Sequence, residues 1–491
     1  MHRPGLAFIG WGTALLLAYW SARLAALAAF PPFMDEVLHL QVTEQMARLS
    51  PLVSADLGRL FTVWSFALFY PLGSDPIWVA RLVTLLAALP GFAAVIALGR
   101  TLGGRPSGLL AGLLVLFSAY HHFFERLALA DPISSALALV ALAFAARLSR
   151  RADWRDAALC GLALFAAFGA KTNALPYFAI PVIAALTLRP PGAGWRRRAI
   201  WAGVALAVGL GLSTALVAAL ALFGYDYVLN SFAFVATNTW TFDAVPAAPL
   251  LDAGRILGNT ARTLDMLNVY AGPAMIAAGA LGVAALARRR RGFLPLAFLL
   301  PVAVLWFSRP QETRYWAAPV ATLWLAAVVA AAPLLRHRRA RLTAVALAGI
   351  WALTYGLPFM LDAAQPHTLA GRLPFADFSQ YAASDAGGFG LAETRDALLE
   401  RQPRAVIGVL SNCNGLRYLA WRRLPVECPP MRPDGQDIAA LTRLMVERRA
   451  PGVYVVLEES PYAPPDAPGE RLLTIARPGG QASLAIYDLA P

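Results

Sequence analysis

Lysine is almost absent from this chain: Lys171 is the single lysine among 42 basic residues, the rest being arginine. Charge of either sign is scarce, at 14% of residues, while 58% are hydrophobic and the mean hydropathy is +0.56. No soluble protein of this size has such a composition, so a soluble enzyme is excluded and a polytopic membrane protein is indicated. Cysteine is rare too, with 3 residues, and histidine numbers 6; without clustered histidines these cysteines make no zinc site. The net charge of +13 does not point to nucleic acid. The arginines form short blocks between apolar runs and not a continuous basic face. Arginine in place of lysine, with abundant alanine, fits a GC-rich bacterial genome, and the expected location is the bacterial plasma (inner) membrane. No solenoid-type repeat is visible.

What the chain has in abundance is apolar runs of membrane length. Roughly 20 apolar residues cross about 30 Å of hydrocarbon, and Leu6 to Phe30 meets that requirement. This run is too long for a signal-peptide core, contains Arg23 and lacks a small-x-small cleavage site, so it is expected to stay in place. Later apolar segments alternate with Arg100 and Arg105, RLSRRADWR, RPPGAGWRRR, RRRRG and RHRRAR. With the positive side inside, they predict about eleven transmembrane helices over a domain of residues 1–364. Residues 31–76 then form the first extracytoplasmic loop, in which GRLFTVWSFALFYPLG reads as an interfacial or re-entrant helix. A long outer loop is expected from about Gly224 to Leu264, with Asp226, Trp240, Asp243, Asp252 and Asp265.

From 365 to 491 the composition turns polar and Gly/Pro-punctuated. AVIGVLS and GVYVVLEE are strand-like, while ETRDALLERQ and QDIAALTRLMVERR are helix-like. These predict a small extracytoplasmic α/β domain. Cys413 and Cys428 both lie in it, and an outer location predicts a disulfide closing a loop of about 15 residues. Cys160 lies in an apolar run and reads as a core residue.

Charged residues gather at the outer ends of the runs. Asp35 and Glu36 stand side by side in FPPFMDEVLHLQVTEQ. Adjacent carboxylates at a membrane surface repel each other and are costly to desolvate, which chemistry uses and packing does not need. The competing reading makes Asp35 the N-cap of the helix that follows. Asp131, in RLALADP, has the same two readings, since Asp before Pro commonly starts a helix. Lys171 either snorkels at a helix end or meets an anionic group as a point charge. Glu312, Arg314 and Tyr315 stand together in ETRYWAAP. His39, His121 and His122 are metal candidates, with His39 expected on a solvated helix face. Arg59 and Arg126 are candidates for phosphate or headgroup contacts.

In chain order, MDEVLH, RLALADP, GAKTNALPY and ETRYWAAP resemble the motifs of the GT-C family of polytopic glycosyltransferases, over most of residues 1–335. The tail QYAASDAGGFGLAETRDALLERQPRAVIGV is similar to bacterial relatives of protein O-mannosyltransferase and aminoarabinose transferase, which often carry a glycine-rich turn before an outer α/β domain. MDEVLH, AKTNALPY and ETRYW also resemble the dolichyl-phosphate-glucose glucosyltransferase of the N-glycan pathway. The resemblance implies an all-α polytopic membrane fold with an appended α/β domain. It implies a polyprenyl-phosphate-linked sugar as donor, membrane lipid around the site and an acceptor that is a lipid, glycan or protein. Asp35 is implied as general base with Glu36 in support and Asp131 as a third catalytic carboxylate. Lys171, Arg314 and Tyr315 are implied at the donor phosphate. No cofactor is expected to be required, though some relatives use a divalent cation. A transporter or flippase of lipid-linked saccharides and a non-catalytic assembly protein are the competing readings. Acidic residues crowded at one face, without a broken inverted repeat, speak against transport.

Overall fold

The computed structural model describes residues 4–48, 50–52, 55–70, 75–188, 194–227, 253–307, 312–429, 438–459, 469–480 and 483–490. Trp240, Asp243 and Asp252 of the expected long outer loop lie outside the described residues. The chain opens with eight helices: α1 (Pro4–Leu24), α2 (Met34–Ala47), α3 (Leu60–Ala67), α4 (Pro76–Gly103), α5 (Arg105–Leu116), α6 (Ala119–Phe124), α7 (Ala130–Arg151) and α8 (Trp154–Ala170). Further helices run from Trp195–Leu222 to Arg338–Trp351 before the chain turns to mixed α/β structure. Packing divides the residues into two compact units.

The first unit, Met1–Ala25, Ser50–Ser65 and Leu82–Leu361, is helical. Its helices approach closely because small residues line their contacts, as in membrane proteins generally. At Gly161 an added Cβ would stand 2.6 Å from the Ala205 carbonyl, and at Gly282 it would stand as close to the Ala327 backbone. An arginine inside a span needs a buried partner. Arg23 of α1 is fully buried and donates through Nε to Glu125 at 2.6 Å and to the Val115 and Leu116 carbonyls, while the Tyr19 hydroxyl donates to the same carboxylate. Among the described helices 4 are long and apolar enough to cross a membrane, or 5 if the bent pair Ala253–Ala271 and Pro273–Arg288 is one span. Other crossings expected from the sequence fall on shorter apolar helices, such as Arg105–Leu116 and Thr172–Thr187. The count of about eleven remains an expectation.

The second unit comprises Ala26–Leu49, Phe66–Arg81 and Asp362–Pro491. Its sheet holds β1 (Ala405–Val409), β2 (Val426–Glu427), β3 (Val453–Glu459), β4 (Glu470–Ala476) and β5 (Ser483–Asp488), ordered β2-β1-β3-β5-β4. β2, β1 and β3 are parallel, and β5 and β4 continue the sheet antiparallel. The valine- and isoleucine-rich β1 and β3 are buried on both faces, as parallel strands are. Val406, Val456 and Ile486 pack toward Leu398 and Leu416, while Ile407, Val455 and Leu457 pack toward Met445. The helix-like and strand-like segments read from the sequence are present as Leu391–Arg401, β1, Ile438–Glu447 and β3. Cys413 and Cys428 are joined by a disulfide, with Cα atoms 5.7 Å apart.

Candidate functional site

In the first unit three separate sequence motifs meet around one carboxylate. Asp131 lies in the first turn of α7. The N-cap is Leu129 and no side chain caps the helix, so the capping reading of Asp131 gives way to an ion-pairing one. Lys171 donates from Nζ to Asp131 Oδ1 at 2.6 Å, and Arg314 Nε lies 3.6 Å from Oδ2. Glu312 is ion-paired with Arg314. Lys171 Nζ also stands 4.4 Å from the centre of the Tyr315 ring, a cation–π contact.

Each group is held by its own element. Lys171 is the extended residue between the end of α8 and the turn that follows, and its amide bonds back to the Ala167 carbonyl. The Thr172 amide donates to Gly58 at 3.0 Å, and Thr62 donates to Ala170 at 3.0 Å. Thr313–Trp316 is a short 3-10 turn ahead of Ala317–Ala330. Tyr120 pins that turn: its hydroxyl donates to the Thr313 carbonyl at 2.6 Å and accepts from the Trp316 amide at 3.0 Å.

Arg59 adds its charge to that of Arg314 at Asp131 and Lys171. Burial pulls the Lys171 ammonium below its usual range; the Asp131 carboxylate opposes this, and Arg314 and Arg59 reinforce it. Burial and then the Glu312 carboxylate push the Tyr315 phenol up, so that it stays neutral. The side chains of Asp131 and Arg314 are buried, while 17% of Lys171 remains accessible. A partly open, desolvated cluster that holds a lysine and an arginine suits a phosphate, which accepts charge-assisted hydrogen bonds from both.

The acidic pair of the first loop belongs to the second unit. Phe33 is the N-cap of α2, and Glu36 Oε2 accepts from the Phe33 amide at 2.9 Å. The cap function sought in Asp35 is thus carried by Glu36, and Asp35 lies half-buried in the first turn. Glu36, expected to help position an acceptor, has both oxygens on Arg81: Nε to Oε1 at 2.8 Å and Nη2 to Oε2 at 2.8 Å. Arg81 also donates to the Leu27 and Phe30 carbonyls, and both side chains are fully buried. Glu36 is therefore the anchor of the loop. Sequence reasoning missed Arg81, though an arginine inside the apolar IWVARLVTLL is itself a signal for a buried partner.

Other candidates settle differently. His39 is buried beside the Phe66 ring and does not lie on a solvated face. His121 bonds Ser118 and the Ala317 carbonyl, His122 lies 3.3 Å from Arg126, and Arg126 donates to the Ala25 carbonyl. These are packing contacts, and they correct the headgroup expectation for Arg126. Among the described residues no group of three or more His, Cys, Asp or Glu side chains is gathered as a metal site.

Comparison with known proteins bears on this geometry. Residues 60–217 match the family model described as dolichyl-phosphate-mannose-protein mannosyltransferase. No curated protein matches the chain by sequence. The structure is similar to Cupriavidus metallidurans ArnT bound to undecaprenyl phosphate, with a TM-score of 0.58 at 15% identity over 98% of this chain and 99% of that one. The apo state of the same protein gives 0.58 at 14% identity over 99% of each chain. The Archaeoglobus fulgidus oligosaccharyltransferase in the apo form gives 0.50 at 12% identity, over 91% of this chain and 69% of that one. The chain has the GT-C type fold, with a family match across α3 to the Trp195–Leu222 helix.

Proposed function

We propose that this protein is a membrane glycosyltransferase that moves a sugar from a polyprenyl-phosphate carrier to an acceptor at the outer face of the membrane. The observation that carries this reading is the pairing of Lys171 and Arg314 with Asp131, three motifs brought together with Lys171 partly accessible. Its support is a fold shared with a protein solved with undecaprenyl phosphate bound.

The chemistry assigns roles to these groups. An acceptor hydroxyl oxygen forms a bond to the anomeric carbon as the bond from that carbon to the phosphate oxygen breaks. The electron pair of the broken bond stays on the phosphate monoester, whose added charge Lys171 and Arg314 neutralise. The hydroxyl proton passes to a carboxylate, and Asp35 is the proposed base. Asp131 orients the two cations and opposes the burial that disfavours the Lys171 charge. Tyr315 walls the ammonium with its ring. The leaving group is stable once neutralised, so no metal is proposed. The Cys413–Cys428 disulfide supports an oxidising compartment for the second unit.

The test is sugar-independent. Purified protein is given undecaprenyl-phosphate-linked sugars and an acceptor-containing membrane extract, and release of undecaprenyl phosphate is followed. Asp35→Asn keeps shape and removes the base, so release should fall about 100-fold or more. Release at the wild-type rate would exclude Asp35 as base, and no release by the wild type would favour carriage of the lipid over transfer.

A further inference from the structure

Within the second unit the acidic loop is built into the edge of the sheet. The chain leaves β1 toward β2 and returns to β3 on the other side of β1. In open α/β sheets the crevice beyond the carboxyl ends at such a reversal is where ligands bind. Here the groups at that edge hold one another and the chain's own loop. The Ser411 amide donates to Glu458 at 3.0 Å. Asn412 Nδ2 donates to the Pro32 carbonyl at 2.9 Å and to the Ala386 carbonyl at 3.2 Å, and the Met34 amide donates to that same Ala386 carbonyl at 3.0 Å. The glycine-rich turn before the domain has its reason here: a Cβ on Gly388 would stand 2.8 Å from the Pro32 nitrogen.

Slightly further on, the Cys413–Leu419 helix reaches the other end of α2. Arg417 Nη2 lies 2.9 and 3.1 Å from the Glu44 oxygens, and the Tyr418 hydroxyl donates to Glu44 at 3.0 Å. One short segment, Asn412 to Tyr418, therefore grips the chain just before α2 and again in its last turn, with Asp35 between.

We infer that Asn412 is a positioning residue for Asp35, an inference that rests on Asp35 being the base. Asn412 is buried, and its amide supplies a buried hydrogen bond to the Pro32 carbonyl. Glu44 lies nine residues beyond Asp35, about 14 Å along the helix. Arg81 holds Glu36 on the far side of Asp35, so loss of the Asn412 bond at Pro32 loosens the turn that sets the Asp35 carboxylate. A shift of about 1 Å in a reacting group costs on the order of 100-fold in rate.

The test uses the full chain. Cys160 is buried and the other two cysteines are bonded, so a nitroxide attaches selectively in Asp35→Cys. Adding Asn412→Ala should turn its spectrum mobile. In the chain that keeps Asp35, Asn412→Ala should lower the maximal rate of undecaprenyl phosphate release about 100-fold and leave the affinity for undecaprenyl phosphate unchanged. Gly388→Ala pushes the same loop without removing a donor and should repeat both effects, which decides the matter if Asn412→Ala does not fold. An immobile spectrum, a mobile one with unchanged rate, or equal losses of rate and affinity would each overturn the positioning role. Wild-type release by Asp35→Asn would instead sink the base reading, and the nitroxide spectrum would still report the grip.

Discussion

Each unit buries a carboxylate beside an arginine, and the two arrangements differ in kind. In the second unit Glu36 and Arg81 match one for one, and backbone groups take up the rest of their hydrogen-bonding capacity. Neither side chain has any exposure. In the first unit Asp131 faces Lys171, Arg314 and Arg59, its contact to Arg314 is 3.6 Å, and Lys171 is partly accessible. Burial of charge is common to both. What separates a structural lock from a candidate site is looser pairing together with a way in.

The sharpest break of this comparison is to remove one partner of the lock. Arg81→Ala leaves Glu36 buried without its cation, an effect of about 3–5 kcal/mol on stability. It should appear as a large fall in melting temperature or as loss of folded protein. An Arg81→Ala protein that melts like wild type would mean the lock is not structural. Opening the disulfide should come next: Cys428→Ser releases a loop of about 15 residues, worth roughly 3 kcal/mol. The loss belongs to the second unit, so hydrogen exchange should rise at β1 and β2 and remain unchanged at α7 and α8. Uniform exchange across both would contradict the division into units.

The two regions also differ in how far the sequence announced them. Asp131, Lys171 and Arg314 were legible because each stands at the end of an apolar run, where a charge has few reasons to be. The strands β1 and β3 were legible from β-branched runs, and the Leu391–Arg401 helix from its period. The partners of the lock were not. Arg81 is hidden inside an apolar span, and Glu44 and Arg417 are separated by 373 positions, a contact no local pattern reports. His39 is a further case: by composition it belongs to a solvated face, yet it is buried beside Phe66. Asp35 and Asp131 each looked like caps, and only the backbone shows that Glu36 takes the first cap while the second helix has none from a side chain.

Smaller effects sharpen the site side of the comparison. Lys171→Arg keeps the charge but replaces a compact ammonium with a planar fork, so it should bind undecaprenyl phosphate within roughly tenfold of wild type, as read by titration. Treatment with EDTA should leave release of undecaprenyl phosphate unchanged, because protein cations are proposed to neutralise the leaving group. A loss restored by added divalent ion would contradict that assignment.

The cluster around Asp131 is proposed as the phosphate site. The most direct measurement is the affinity of purified wild-type protein and of Lys171→Ala for undecaprenyl phosphate, with melting temperature followed alongside. Loss of one charge-assisted hydrogen bond predicts weakening by roughly 10- to 100-fold at a nearly unchanged melting temperature. Equal affinity of the two proteins, or a loss of affinity that merely tracks a loss of stability, would contradict it.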